Sequence, residues 1–316
     1  MAQLSVFAPA SIGNFIVGFD VLGAAIKTHD RVLGDVLSIS DDKPAGYSAV
    51  GEFAFRLPQD KDNLVIKTAE YFNRQLAQLR PDIEIQKLTF KLAKNLPIGS
   101  GLGSSSSSIV ATLFGLNQWY QQPFSQPLLL QWSAEIEGAN AGAMHYDNVA
   151  PCLLGGLQLI NEESQEVCQS IPFFDDLHLA FCFPDIEITT KSARSVLPTQ
   201  VSLPAAIAMQ KRLASFTAAC FRQDKAALVS SLVDDSIEPL RKQLIPNFEQ
   251  AKRCAMEQGA LAFSISGSGP TCFAICESAD KAKTIAKLIH DTLKQGDHSF
   301  YWTGQIDTAG ARLVEA

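Results

Sequence analysis

The spacing of apolar and polar positions changes along the chain, and each change predicts an element. Residues 3–8 (QLSVFA) form a short apolar run closed by Pro9 and predict a first strand. Residues 31–39 (RVLGDVLSI) alternate and predict a second. Between them, 9–25 mixes glycines with apolar residues and two polar side chains, Asn14 and Asp20. It reads as a loop running into a short helix or strand. From Asp62 the period lengthens. Leu64, Val65, Thr68, Ala69 and Phe72 share a helical face, Asp62 or Asn63 stands at the start, and Pro81 lies beyond the end. This predicts a helix over 62–80. Residues 83–92 (IEIQKLTFKL) return to alternation and predict a strand. Helices follow over 106–119 and 127–141, then a strand-like GGLQLI at 155–160. Beyond it come a strand at 177–183, helices at 204–220, 224–232 and 246–258, strands at 261–266 and 271–277, and a helix at 279–294. Strands and helices do not alternate in βαβ order, so the pattern predicts an α+β fold and not a doubly wound sheet. No repeats occur. The polar patch from Asn161 to Gln169 is the best place for a boundary, dividing 1–163 from 164–316.

Length agrees with two domains, since 316 residues is twice a typical domain of ~150. Apolar residues at 47% and charged residues at 19% give a globular chain with material for a sizeable core. The 26 basic and 33 acidic residues leave a net charge of −7, which repels polyanions and argues against bulk nucleic-acid binding. The seven cysteines, at 152, 168, 182, 220, 254, 272 and 276, include no C-x-x-C pair. They read as buried thiols in a reducing compartment, not as a zinc site. The first basic residue is Lys27, so no signal-peptide n-region is expected. Residues 95–134 carry no charge, but Gly, Ser, Gln and Pro interrupt them before any apolar run reaches the ~18 residues of a membrane span. A soluble, cytoplasmic protein without membrane or nucleic-acid partners is the expectation.

Chemistry concentrates in 97–108, PIGSGLGSSSSS. Glycines at 99, 101 and 103 permit positive φ and let backbone N–H groups gather round an anion. A helix pattern begins directly after them, and its N-terminus adds partial positive charge. The serine hydroxyls can donate to phosphate or bind a magnesium ion. A flexible Gly/Ser linker is the alternative, but linkers seldom join a strong strand to a strong helix. The run lacks the Lys of a Walker loop, and Ser104 stands where G-x-G-x-x-G needs its third glycine. It also lacks the G-x-S-x-G elbow that a hydrolase built on His145 and these serines would use. A second stretch, Ser266 to Pro270, joins two strand patterns and reads as a β-turn that could close over a ligand.

These segments resemble the motifs of the GHMP small-molecule kinases: 9–23 (PASIGNFIVGFDVLG) the N-terminal one, 97–108 the central one and 265–271 (ISGSGPT) the C-terminal one. Within that family the chain is most similar to the homoserine kinases, through 9–23, 137–151 (EGANAGAMHYDNVAP), 189–194 (TTKSAR), 238–246 (EPLRKQLIP) and 307–312 (DTAGAR). The resemblance implies two α+β domains. The first resembles ribosomal protein S5 domain 2, the second is ferredoxin-like, and a nucleotide cleft lies between them. It implies ATP held by Asn63, Pro97, Gly99, Ser100, Gly101, Leu102, Gly103, Ser104, Ser105 and Ser106, with Mg2+ on Ser104 and Glu137. It implies L-homoserine as substrate, bound by Asn14, Asp20, His145, Asn148, Arg194, Arg241, Gly267, Ser268 and Gly269. The two arginines would hold its carboxylate, and Asp20 its ammonium. Ser104, Glu137, Asp147 and Asn148 form the catalytic set. Many GHMP kinases carry a catalytic Asp where this chain has Asn148. The expectation is therefore transfer without a dedicated protein base, the hydroxyl being oriented by Asn148. Members are often homodimers, and L-threonine, which resembles homoserine, is a candidate feedback ligand. A kinase for another small alcohol and a catalytically idle ligand sensor are the alternatives. The unbroken serines 104–108 depart from the family pattern, which usually turns apolar after two.

Overall fold

A computed structural model describes the chain except for residues 1, 29, 30, 43, 59, 61, 142, 143 and 316, and the side chains of 140 and 141. The first half builds β1 (Gln3–Pro9), β2 (Ser11–Gly13), β3 (Leu22–Thr28), β4 (Gly34–Ser40), β5 (Tyr47–Val50), α1 (Leu64–Leu79), β6 (Thr89–Ala93), α2 (Ser104–Trp119), α3 (Gln126–Ala141), α4 (Val149–Leu154) and β7 (Leu157–Ile160). The second half builds β8 (Cys168–Ile171), β9 (His178–Phe183), α5 (Thr190–Ser195), α6 (Leu203–Arg222), α7 (Lys225–Ser231), α8 (Glu238–Arg241), α9 (Phe248–Glu257), β10 (Ala262–Ile265), β11 (Cys272–Cys276), α10 (Ala279–Leu293), β12 (Phe300–Ile306) and β13 (Arg312–Val314). Helices and sheets mix as the α+β reading expects.

One sheet runs β13-β1-β4-β6-β5, with β5 parallel to β6 and the rest antiparallel. Its covering helix is α2, buried along nearly its whole length because Ile109, Val110, Leu113 and Leu116 face the strands or the flanking helices α1 and α3. Helix α1 begins where Asn63 accepts from the Val65 N–H at 2.9 Å, a side-chain N-cap, and buries Val65, Thr68, Ala69 and Phe72 of the predicted stripe together with Leu76, while Leu64 is half-buried. The strand expected over 83–92 is confined to 89–93. The Gln86 N–H goes to the Tyr120 hydroxyl at 3.0 Å and the Ile83 N–H to Arg80 O at 3.0 Å in place of strand partners, and 84–87 are exposed to water.

The second sheet runs β10-β11-β9-β12-β3-β7-β8, with β2 paired to β3. Its β9-α9-β10-β11-α10-β12 portion has the split βαβ order of a ferredoxin-like unit. Alternation sorts β9: Ala180 and Cys182 pack under α9 and α10, whereas Leu179, Phe181 and Phe183 join Phe216 of α6 and Trp302 of β12 on the other face. Strands from both halves of the chain share this sheet, since β3 pairs with β12 and β7 with β8. Residues 163 and 164 lie in the β7–β8 turn. All seven cysteines are free; 168 and 254 are half-buried and the others buried. Among the described residues no helix is long and apolar enough to cross a membrane.

Candidate active site

A cavity of ≈ 830 Å³ is lined by both Gly-rich stretches and by residues from the first loop, α3, α5 and α8. Its floor is the segment after β6. Gly99, Gly101 and Gly103 have φ of +63°, +76° and +64°, which L side chains rarely adopt. Gly103 is the left-handed N-cap of α2 and offers no side-chain cap. The carbonyls of this loop are tied to the protein. Pro97 O accepts from Ser100 Oγ, Gly99 O from the Ile188 N–H, Ser100 O from the Thr271 N–H, Gly101 O from Ser266 Oγ and Leu102 O from the Ser11 N–H. Among the described residues none of the N–H groups of 99–106 donates to a protein acceptor. Fixed carbonyls and unspent N–H groups at the start of a 16-residue helix make a cradle for an anion. A Cβ on Gly101 would stand 2.3 Å from Ser266 O, so the second Gly-rich stretch clamps the first from behind.

The extra serines have structural work. Ser107 Oγ donates to Ala8 O and accepts from the Asp35 N–H, and Ser108 Oγ donates to Asp35 Oδ2 at 2.6 Å. Lys94 completes this buried cluster. Its Nζ lies 2.6 Å from Asp35 Oδ2 and donates to Ser104 O at 2.8 Å, directly beneath the cradle.

Beside the start of α2, Glu137 of α3 accepts from Ser105 Oγ at 2.6 Å. Burial pushes its carboxyl pKa up, against the pull of Ser105 and of the Lys94 charge. Glu137 Oε2 and Ser106 Oγ are buried without a partner, and both residues line the cavity. An orphaned carboxylate oxygen beside hydroxyls is a donor set suited to a magnesium ion. Ser104, the hydroxyl expected there, donates instead to Leu96 O at 3.2 Å while still lining the cavity.

At the other end, Asp20, held at φ +60°, receives Arg194 Nη2 on Oδ1 at 2.6 Å, with His145 Nδ1 3.8 Å away. Asn14 accepts from the Asp20 N–H and donates to Gly267 O. Arg241 is buried and gives Nη1 to Gly267 O at 2.9 Å and Nε to Ala193 O at 3.3 Å. The guanidiniums of Arg194 and Arg241 lie 5.4 and 5.0 Å from the ring centre of Phe19. Burial, then the Arg194 charge, lowers the pKa of Arg241. Burial and the Arg194 charge also lower that of His145, while Asp20 raises it. Between the two ends stand Asp147 and Asn148. Burial first, then Asp20, raises the Asp147 pKa to about 7. Asn148 Oδ1 accepts from Ser11 Oγ at 2.9 Å, and its Nδ2 donates to Asp147 Oδ1 at 3.3 Å.

The structure thus brings to one cavity wall the expected Asn14, Asp20, Gly99, Ser100, Gly101, Gly103, Ser104 to Ser106, Glu137, His145, Asp147, Asn148, Arg194, Arg241, Gly267 and Ser268. Four expected residues are not on that wall. Asn63 spends both amide groups on the α1 cap and on Pro58 O, and Leu57 and Leu64 line the cavity there. Pro97 and Leu102 act through their carbonyls, and Gly269 packs against Ile265, Ile245 and Ile188. Gly142 and Ala143, within the segment 137–151, lie outside the described residues. Sequence reasoning missed Lys94 and Asp35. A buried Asp in an alternating strand and a Lys just before a Gly-rich run are their only signals.

An anion cradle at a helix start, facing across one cleft a cluster of opposed charges, fits the class of small-molecule phosphotransferases. Residues 63–156 match the GHMP kinases N terminal domain, and 217–294 match the GHMP kinases C terminal domain. A homoserine kinase from Cytophaga hutchinsonii is 33% identical over 99% of this chain and 98% of its own, with a TM-score of 0.88. The L. major mevalonate kinase in complex with R-mevalonate is 18% identical over 98% and 97%, TM-score 0.70. The Streptococcus pneumoniae phosphomevalonate kinase is 12% identical over 95% and 99%, TM-score 0.69. These last two share the fold alone. The chain belongs to the GHMP kinase family, whose members use ATP.

Proposed function

We propose that this protein transfers the γ-phosphoryl group of ATP to the hydroxyl of L-homoserine, giving O-phospho-L-homoserine on the route to threonine. The observation that carries the substrate is the charge pattern at the far end of the cavity: two guanidiniums and one carboxylate, the complement of a small zwitterion. The likeness to the Cytophaga hutchinsonii homoserine kinase supports it.

Residues 99–106 would receive the ATP phosphates through N–H groups already in place, so little reorganisation accompanies binding. Glu137 and the Ser104–Ser106 hydroxyls would hold magnesium, which when bound neutralises charge on the phosphates. Arg194 and Arg241 would take the substrate carboxylate, and Asp20 its ammonium. Asn148, its amide fixed by Ser11, would orient the hydroxyl, which loses its proton late and without a dedicated protein base. A second reading of that step rests on Asp147. A cavity-lining carboxyl raised to about 7 suits a general base at neutral pH. With Asp147→Asn, base-free transfer keeps kcat and its pH profile, whereas base catalysis loses most of kcat together with a rise through pH 7.

The test of the function is ADP release from ATP and magnesium with L-homoserine, mevalonate, galactose, L-serine or L-threonine in separate reactions. Turnover with L-homoserine alone supports it. Turnover with another alcohol keeps the kinase and removes the substrate assignment, and nucleotide binding without turnover favours a sensor. We further place the protein in the cytoplasm as a homodimer, with L-threonine as a competitor for the same charges.

A further inference from the structure

Asp20 and Arg194 face the cavity and are bound to each other. Both side chains are one-third exposed, so their contact is reached from the cavity side. The contact is also incomplete. Arg194 gives Asp20 only Nη2, and its Nε is buried without a partner. A guanidinium meets a carboxylate best through two parallel N–H groups, and here one of them is idle. Arg241, 5.0 Å from the Phe19 ring that Arg194 also approaches, donates to backbone carbonyls, and among the described residues no carboxylate ion-pairs with it. This end of the cavity therefore holds two guanidiniums and one exposed carboxylate. It attracts an anion, but an anion that takes Arg194 strips Asp20 of its cation.

We propose that the Asp20–Arg194 pair is a latch that selects for zwitterions. A ligand carboxylate takes Arg194 and Arg241, and the same ligand's ammonium replaces Arg194 on Asp20. A ligand with only one of the two charges must leave either Asp20 or Arg194 unpaired in a half-buried site, and unpaired charge there is costly. The ion pair thus discriminates before any contact is made to the hydroxyl. His145 Nδ1 lies 3.8 Å from Asp20 Oδ1 and 3.4 Å from Arg194 Nη2, so the guanidinium and not the imidazole is the nearer cation to Asp20. The latch rests on the substrate class proposed above.

The experiment compares wild type with Asp20→Asn, a residue type that tolerates the φ of +60° here. The ligands are L-homoserine, 4-hydroxybutyrate (carboxylate only) and 3-aminopropan-1-ol (ammonium only), measured by calorimetric titration and ADP release. Freed of Asp20, Arg194 should bind 4-hydroxybutyrate about threefold to fivefold more tightly than in wild type, the scale of a partly exposed ion pair. L-homoserine should weaken on the order of 10- to 100-fold through loss of its ammonium partner. A site that is merely damaged weakens both. The reciprocal variant Arg194→Gln should tighten 3-aminopropan-1-ol, so the inference stays open to test even where Asp20→Asn does not fold. Unchanged or weaker binding of the singly charged ligands overturns the latch while L-homoserine turnover by wild type still stands. Absence of that turnover overturns the substrate class, and the latch with it.

Discussion

At the end of the cavity that we propose for the phosphates the donors come from one continuous stretch, 97–108, and most are backbone groups. At the end proposed for the alcohol they come from the loop at 14–20, from α5, from α8 and from the turn at 267–268, and most are charged side chains. The first end is fixed from behind by buried hydrogen bonds to Ser11, Ile188, Ser266 and Thr271. The second is held by an ion pair between one-third-exposed side chains, by cation–ring contacts to Phe19, and by the bonds of buried Arg241 to the Gly267 and Ala193 carbonyls. A nucleotide phosphate is common to many reactions, so a rigid cradle made of main chain serves it and resists substitution. The alcohol varies between kinases, and side chains drawn from separate segments can be changed one at a time without unfolding the loop beneath the phosphates.

If the phosphate end owes its rigidity to the cluster under it, the largest effect on stability will come from Lys94. Lys94→Met leaves the Asp35 carboxylate, which has no exposed surface, without its cation. Breaking a buried pair in this way costs ~3–5 kcal/mol. Denaturant unfolding should show that loss, and Lys94→Met with Asp35→Leu should recover part of it. A loss below ~1 kcal/mol would mean that the cradle does not depend on the cluster. The next effect is kinetic. Glu137→Gln should lower kcat on the order of 10³-fold, the several kcal/mol that a bound metal contributes. Its melting temperature should stay level or rise, since burial disfavours the charged carboxylate of Glu137. A stable protein with lost turnover marks a functional carboxylate, and a destabilised one marks a structural one.

How much of each end could be read from sequence follows from the same contrast. The cradle was legible because its glycines, its serines and the helix after them are neighbours in the chain, and α1 because Asn63 and the stripe Leu64–Phe72 carry both cap and period. Strand β3 was ambiguous because LGAAIKT is buried on both faces over its first five residues and so does not alternate. Strand β6 was drawn too long because the alternation starts at 83, whereas pairing with β4 starts only at Thr89. Which hydroxyl faces Glu137 could not be read, since Ser104, Ser105 and Ser106 share one helical turn and only the packing of α3 on α2 chooses Ser105. The pairing of Asp20 with Arg194 spans 174 positions and leaves no local pattern. The resemblance brought each to the alcohol end, but not their contact.

Asp147 sits where the two ends meet, and pH should separate its contribution. Its folded pKa, about 7, lies above the ordinary 3.8. The unfolded chain therefore releases this proton first, and the stabilisation is complete only below the unfolded value. Stability should fall as pH rises from about 4 to about 7 and level off above, by a few kcal/mol at most. Asp147→Asn should remove that slope and be relatively more stable at pH 8 than at pH 5, as thermal melting across the range will show. An unchanged slope would mean that the charges of Arg194 and Arg241 hold Asp147 ionised and that the two ends are electrically joined through it.

The smallest expected effect lies within the alcohol end and concerns its two arginines. Removing a charged hydrogen-bond partner from a ligand costs ~1.5–3 kcal/mol, a factor of roughly 10 to 100 in affinity. Arg241→Gln should stand at the upper limit, since Arg241 is only 4% exposed and its loss is not offset by the release of any carboxylate. Arg194→Gln should stand at the lower one. It takes away one guanidinium but frees Asp20 to receive the substrate ammonium without displacing anything. Both should raise the KM for L-homoserine while leaving that for ATP unchanged, because neither touches the stretch 97–106. Equal losses would mean that Asp20 and Arg194 do not compete with the ligand. A rise in the ATP KM would mean that the two ends are coupled through Gly267, whose carbonyl accepts from Arg241 and Asn14 beside the residues that clamp the cradle.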